Sequence, residues 1–301
     1  MTVRFVRPVS TAAFAARGLG LSALLLLVIA LLAHRFGPLT TPSFVALVLL
    51  SAAIAALSVP LAMLGLIRLW QEGARGGVAS VKALIYAAIP LGLTAFGAYL
   101  YLTLPRLYDV STDIADPPAW VHQPAADQMW LTRPSIISPV DRQAQGQAYP
   151  GLTGRRYEGG LDRIYEAVLR VGPTVRISFG EDKSSKRAKQ TPATKPAARS
   201  PNPEGPVADV IPVPLPRPDA VPVSPALKAG GGDLVLQGEG RSLIFGFRFD
   251  VLVRMREEAE TTLVDVRVAS RYGPHDLGFS AALADNFLRA LDAELLGIAG
   301  N

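Results

Sequence analysis

Residues 18–34 read GLGLSALLLLVIALLAH, without one Asp, Glu, Lys or Arg. Residues 36–67 and 83–105 are equally free of charge. A bilayer-spanning helix needs about 17 to 25 predominantly apolar residues, so the three stretches predict a three-helix membrane anchor over residues 1–104. Basic residues flank only some of the span ends. Arg4, Arg7 and Arg17 precede the first span, Arg35 alone separates the first from the second, and Arg68, Arg75 and Lys82 separate the second from the third. Short basic segments stay in the cytoplasm. The pattern therefore predicts a cytoplasmic N-terminus in the inner (plasma) membrane and a chain beyond Leu104 on the extracytoplasmic side, the periplasm of a bacterium with two membranes. Trp70, Tyr99 and Tyr101 stand at span ends, where amphipathic rings settle.

A cleavable signal peptide is the rival reading of the first span. Residues 31–35 show no small-x-small cleavage pattern, and the third span exports the remainder in either case. Pro60 and Pro90 read as ordinary kinks, and Ala52, Ala53, Ala55 and Ala56 as sites of close helix packing. A transporter is disfavoured because no Asp, Glu, Lys or Arg lies inside a span.

The overall basicity has the same topological origin. Residues 1–104 carry net charge +6, whereas residues 105–301 carry −1. A nucleic-acid reader concentrates positive charge on its soluble domain, so no nucleic-acid partner is expected. The absence of cysteine excludes thiol catalysis, iron-sulfur clusters and disulfides.

Residues 105–301 read as one α+β domain interrupted at 181–232. That insert opens with Lys183, Lys186, Arg187 and Lys189 and holds 11 of the 25 prolines, a composition of disordered linkers and extended spacers. Without it about 145 residues remain, the size of a single domain. Leu161, Ile164, Tyr165, Val168 and Leu169 recur at helical spacing, with Gly172-Pro173 as a stop. Val175, Ile177 and Phe179 alternate as a short strand, and residues 234–239 supply a second. Val251, Val253 and Met255, then Val264, Val266 and Val268, predict a hairpin turning at 257–260. That turn pairs Val253 with Val264 and Asp250 with Arg267 and puts every valine on one face. Leu283, Phe287, Leu291 and Leu295 form a last helical stripe, with Ser280 as N-cap and Gly297 beyond its end. The expectation is an antiparallel sheet with both helices on its apolar face.

Neither His122 nor His275 falls in a catalytic motif, and each reads as a surface or hydrogen-bonding residue. No nucleophile elbow, phosphate loop or His-Glu-x-x-His is present, and no cofactor or metal is expected. Two polar strings stand out. DVSTDIADPP occupies residues 109–118, and Asp265, Arg267, Ser270, Arg271, Asp276 and Gly278 lead from the last strand into the last helix. Together with Ala148-Tyr149-Pro150-Gly151, they resemble the bacterial and plastid family catalogued as domain of unknown function 1499. Its members show a DVSTDIADPP-like string, an AYPG-like segment and a DVRSxSRxGxxDxGxN-like string. The resemblance covers most of residues 106–296 outside the insert and implies domain extent rather than mechanism. Val268 stands where the family has serine, His275 where a small polar residue is usual, and Ser280 where asparagine is typical.

The structural reading of these strings has the acids before Pro117 closing turns, Asp276 and Gly278 shaping a loop, and Asp250 pairing with Arg267. The functional reading gathers Asp113, Asp116, Arg267, Ser270, Arg271 and Asp276 into a patch where Arg267 and Arg271 hold an anionic ligand or an acidic envelope protein. A membrane-anchored extracytoplasmic binding or scaffold protein of the cell envelope is the leading expectation. A hydrolase acting on an anionic substrate with Asp113 or Asp116 as acid or base is the alternative. Convergence of those carboxylates with Arg267 and Arg271 in one deep pocket favours the enzyme, and a flat or filled surface favours the scaffold.

Overall fold

The computed structural model describes residues 8–123, 126–179, 228–229 and 233–297. Three long helices come first: α1 (Thr11–Phe36), α2 (Thr41–Glu72) and α3 (Gly77–Thr103). All three are long and apolar enough to cross a membrane. They pack along a seam of small side chains, Ala16, Ala62 and Ala83 in one layer and Ala23, Ala55 and Ala87 in the next. Small residues let backbones approach, and Ser51 Oγ donates to the Ala23 carbonyl at 2.9 Å across the α1–α2 contact. Of the four alanines singled out in α2, Ala52 and Ala55 face this seam, whereas Ala53 and Ala56 point outward. Both helices containing a proline continue through it.

The remaining elements are β1 (Asp109–Ser111), α4 (Pro139–Ala148), β2 (Arg155–Glu158), α5 (Leu161–Thr174), β3 (Ile177–Phe179), β4 (Lys228–Ala229), β5 (Asp233–Arg241), β6 (Arg248–Glu257), β7 (Thr261–Ser270) and α6 (Phe279–Leu295). Of the predicted insert, only Lys228 and Ala229 lie within the described residues; the rest of 181–232 falls outside them. Among the described residues, all strands join one antiparallel sheet of order β1-β7-β6-β5-β3, with β2 also on β7 and β4 also on β5. Each outer edge of the central trio is thus completed by two short strands. Strand residues alternate between faces. Leu234, Leu236, Val251, Val253, Met255, Val264, Val266 and Val268 accordingly meet Ile164, Val168 and Val171 of α5 and Phe287, Leu288 and Leu291 of α6 in a single core.

Three local expectations are corrected. The β6–β7 turn is tighter than the one centred on 257–260. Glu257 pairs with Thr262, and the Glu258 N–H donates to the Thr261 carbonyl at 2.8 Å. Val253 therefore faces Val266, and Asp250 faces Ala269. The shift moves each partner by two residues, and because side chains alternate, the valines keep their common face. Helix α5 runs past Gly172-Pro173 to Thr174, and Arg176 at φ 61° makes the reversal into β3. Ser280 does not cap α6. Gly278 takes the cap position at φ 79°, and the Asp276 carboxylate accepts the Gly278 and Ser280 N–H groups at 2.8 and 3.0 Å.

The sheet domain is clamped to the helices at two places. Beyond α3, the Tyr108 carbonyl accepts the Ser270 N–H and the Leu107 carbonyl accepts the Asp276 N–H. His275 stacks on Tyr101, accepts the Leu277 N–H at Nδ1, and donates from Nε2 to the Leu104 carbonyl. On the other side, His34 of α1 donates from Nδ1 to the Phe245 carbonyl at 2.7 Å and stacks on Phe44 of α2. At the far end of the bundle, the Ser10 N–H donates to the Arg75 carbonyl and the Arg75 N–H to the Pro8 carbonyl, tying the start of α1 to the α2–α3 connection.

Candidate functional site: the polar face of the sheet

The sheet face opposite the core carries alternating charge. β5 contributes Asp233, Gln237 and Glu239, β6 contributes Asp250, Leu252, Arg254 and Arg256, and β7 contributes Asp265 and Arg267. Leu252 is fully buried on this face, because the segment after β1 lies across it. Gln237 and the His122 backbone bond each other in both directions, and Arg254 and Arg267 donate to the carbonyls of Asp116 and Pro118. Trp120 stacks over the Arg267 guanidinium, 4.9 Å from its carbon.

At the centre is Arg254, with 7% of its side chain exposed. It donates to Asp265 at 2.8 Å, Asp113 at 2.9 Å and Asp116 at 3.0 Å. Burial works against its charge, but the Asp265 and Asp116 carboxylates together outweigh burial and raise its pKa. Asp113 also accepts the N–H groups of Ala115 and Asp116, closing the turn before Pro117. Arg267 holds Asp109 at 2.9 Å, and Arg142 of α4 reaches the same carboxylate at 3.2 Å. Arg271 holds Asp250 in a two-toothed contact at 2.7 Å and touches Glu239 at 3.2 Å. Its hydrogen bond to Asp250 raises its pKa.

The six sequence-selected residues thus fall into separate groups. Asp113 and Asp116 belong to Arg254, Arg267 to Asp109, and Arg271 to Asp250. Ser270 turns the chain through bonds with Tyr272. Asp276 lies in the loop before α6, where burial raises its carboxyl pKa despite its bonds to Ser280 and Gly278. The expected pair Asp250–Arg267 is replaced by Asp250–Arg271 and Arg267–Asp109. The two-residue register difference leaves Ala269 opposite Asp250, and Arg271 reaches across from just beyond the strand end.

Arg254, Arg142 and Gln145 went unselected by sequence reading. Gln145 is fully buried and bonds both the N–H and the carbonyl of Ser111, satisfying the outer edge of β1. Its helix announces itself through a capping box, Ser138 with Asp141. An open cleft of about 860 Å³ lies beside this group, lined by Ser138, Gln143, Arg142 and Arg267 among others.

Three membrane-type helices fused to an antiparallel sheet with an ion-paired outer face define the class. A family described as Protein of unknown function (DUF1499) matches residues 109–291, and the chain belongs to that family. No curated protein and no solved structure matches the chain. Of the three departures from the family pattern, Val268 points into the core, His275 clamps α3, and the Ser280 hydroxyl is buried without a hydrogen-bond partner.

Proposed function

We propose that the protein is a multi-pass inner-membrane protein whose sheet domain acts in the periplasm as a non-catalytic binding or scaffold module of the cell envelope. The observation carrying this reading is the closed pairing of the polar face. The carboxylates that a hydrolase would need, Asp113 and Asp116, are held by Arg254 and do not converge with Arg267 and Arg271. Contact with an acidic partner falls most naturally at the cleft where Arg142 and Arg267 share the single carboxylate of Asp109. The basic residues at the opposite ends of the helices support this placement of the domain.

Alkaline phosphatase fused after Asn301 is expected to be active, and a stable but inactive fusion would refute the periplasmic side. Full-length protein in lipid nanodiscs is expected to hydrolyse ester, phosphoester and peptide probes no faster than Asp113→Asn/Asp116→Asn protein. Turnover abolished by that double variant would establish the enzyme instead.

A further inference from the structure

A second cavity, about 610 Å³, lies between the helices and the sheet domain, within the roughly 300–1,000 Å³ range of small-molecule sites. One wall is the bilayer-facing side of α2 and α3, including Val48, Leu93, Phe96 and Gly97. The other wall is Trp130, Phe247 and neighbouring domain residues. Leu93 precedes the end of α3 by ten residues, about 15 Å at 1.5 Å per residue. That depth equals half of the roughly 30 Å hydrocarbon core, one leaflet. Phe96 and Leu49 are exposed on the helix surface, so the cavity is continuous with the space that lipid chains fill. The exposed pairs Met129-Trp130 and Leu243-Ile244 include or directly precede lining residues, Trp130 and Phe245, and are of the kind that seat in a membrane interface.

The mouth is basic. Arg248 lines it, half-exposed and 3.5 Å from Glu239. That one carboxylate is also shared by Arg241 at 3.4 Å and Arg271 at 3.2 Å. Arg106 lies over the Tyr101 ring, which forms part of the cavity wall. An apolar shaft one leaflet deep, open to lipid, with Arg248 in its lining sharing its one carboxylate with two other arginines, matches one chemistry.

We propose that the cavity is a phospholipid site: an acyl chain from the leaflet beside the domain fills it, and an anionic headgroup meets Arg248. This rests on α1–α3 lying in a bilayer and is independent of which side the domain faces.

The test uses the full chain in nanodiscs containing equal phosphatidylglycerol and phosphatidylcholine, followed by native mass spectrometry after annular lipid is stripped. Wild type is expected to retain one phosphatidylglycerol per chain. A Cβ at Gly97 meets nothing within 4 Å, so Gly97→Trp fills the shaft without a backbone clash. This variant is expected to lose the lipid with unchanged thermal unfolding. Ala98→Phe, on the same wall, serves if Gly97→Trp misfolds. Arg248→Glu is expected to keep a lipid but lower the preference for phosphatidylglycerol by roughly tenfold, the scale of a charged hydrogen bond. Wild type without retained lipid, or a folded cavity-filling variant that keeps it, overturns the site. Unchanged preference in Arg248→Glu overturns the headgroup assignment. A chain that fails to insert into nanodiscs defeats the membrane reading itself.

Discussion

The two faces of the sheet are built from the same strands and obey opposite rules. The inner face excludes water with Val251, Val253, Val264 and Val266 against α5 and α6, and any well-shaped apolar neighbour adds to it. The outer face is nearly as buried at its centre, yet it is filled with charge that must be matched partner by partner, Arg254 with Asp265 and Arg267 with Asp109. A core tolerates approximation, whereas a buried ion pair that loses one member leaves an uncompensated charge. Alternating polar residues on a strand therefore do not by themselves mark a solvent-facing or ligand-binding side.

Truncation separates the two rules most sharply. Phe287→Ala, at the centre of the apolar face, is expected to destabilise by about 4 kcal/mol in denaturant unfolding, the range for emptying a buried aromatic site. A loss below about 1 kcal/mol would mean that the face repacks freely. Arg254→Ala is expected to cost about 3 kcal/mol, because Asp265 remains buried without a counter-charge. The paired change Arg254→Met/Asp265→Leu should recover most of that loss. If the double variant is no more stable than the single, packing rather than charge balance dominates the outer face.

Asp276 tests a buried carboxyl outside any ion pair. Its folded pKa lies above the ordinary 3.8, first because of burial. Its contribution to stability is therefore fully present below the unfolded value and lost as pH rises through the raised folded value. The stability of wild type relative to Asp276→Asn should fall across that window and then level off. A difference independent of pH would show that the carboxyl is not shifted. The smallest effect is expected at Arg156, whose pair with Glu258 lies on the surface. Arg156→Ala should leave the melting temperature unchanged within error, since such pairs are screened by water and salt.

The apolar elements were legible in the sequence because periodicity reports directly on burial. The three spans, the α5 and α6 stripes and the valine face all follow from it. Sheet pairing was less accessible, since turns centred on 257–260 or on Ala259-Glu260 keep the same valines inward, and only the polar partners change. The outer face escaped for a different reason. Leu252 sits among charges in the pattern, and nothing local signals that residues 112–123 fold over it. Arg254 is likewise an ordinary strand arginine until Asp113 and Asp116 are brought to it from 141 and 138 positions away. Ser280 has the chemistry of a cap, but the helix begins two residues earlier, with Gly278 at the cap position and the Asp276 carboxylate accepting the Gly278 and Ser280 N–H groups.

The clamp at the end of α3 has a mechanical consequence. With residues 104–108 bonded to the loop before α6 and leading straight into β1, helix and sheet move as one lever. On the proposed membrane placement, any tilt that bilayer thickness imposes on α3 is passed on as a rotation of the sheet. A domain on a flexible tether searches a volume, but one mounted this way sweeps only a thin layer at fixed height. On that placement its encounters become two-dimensional, and membrane thickness becomes a variable that sets which face it would offer to a neighbour.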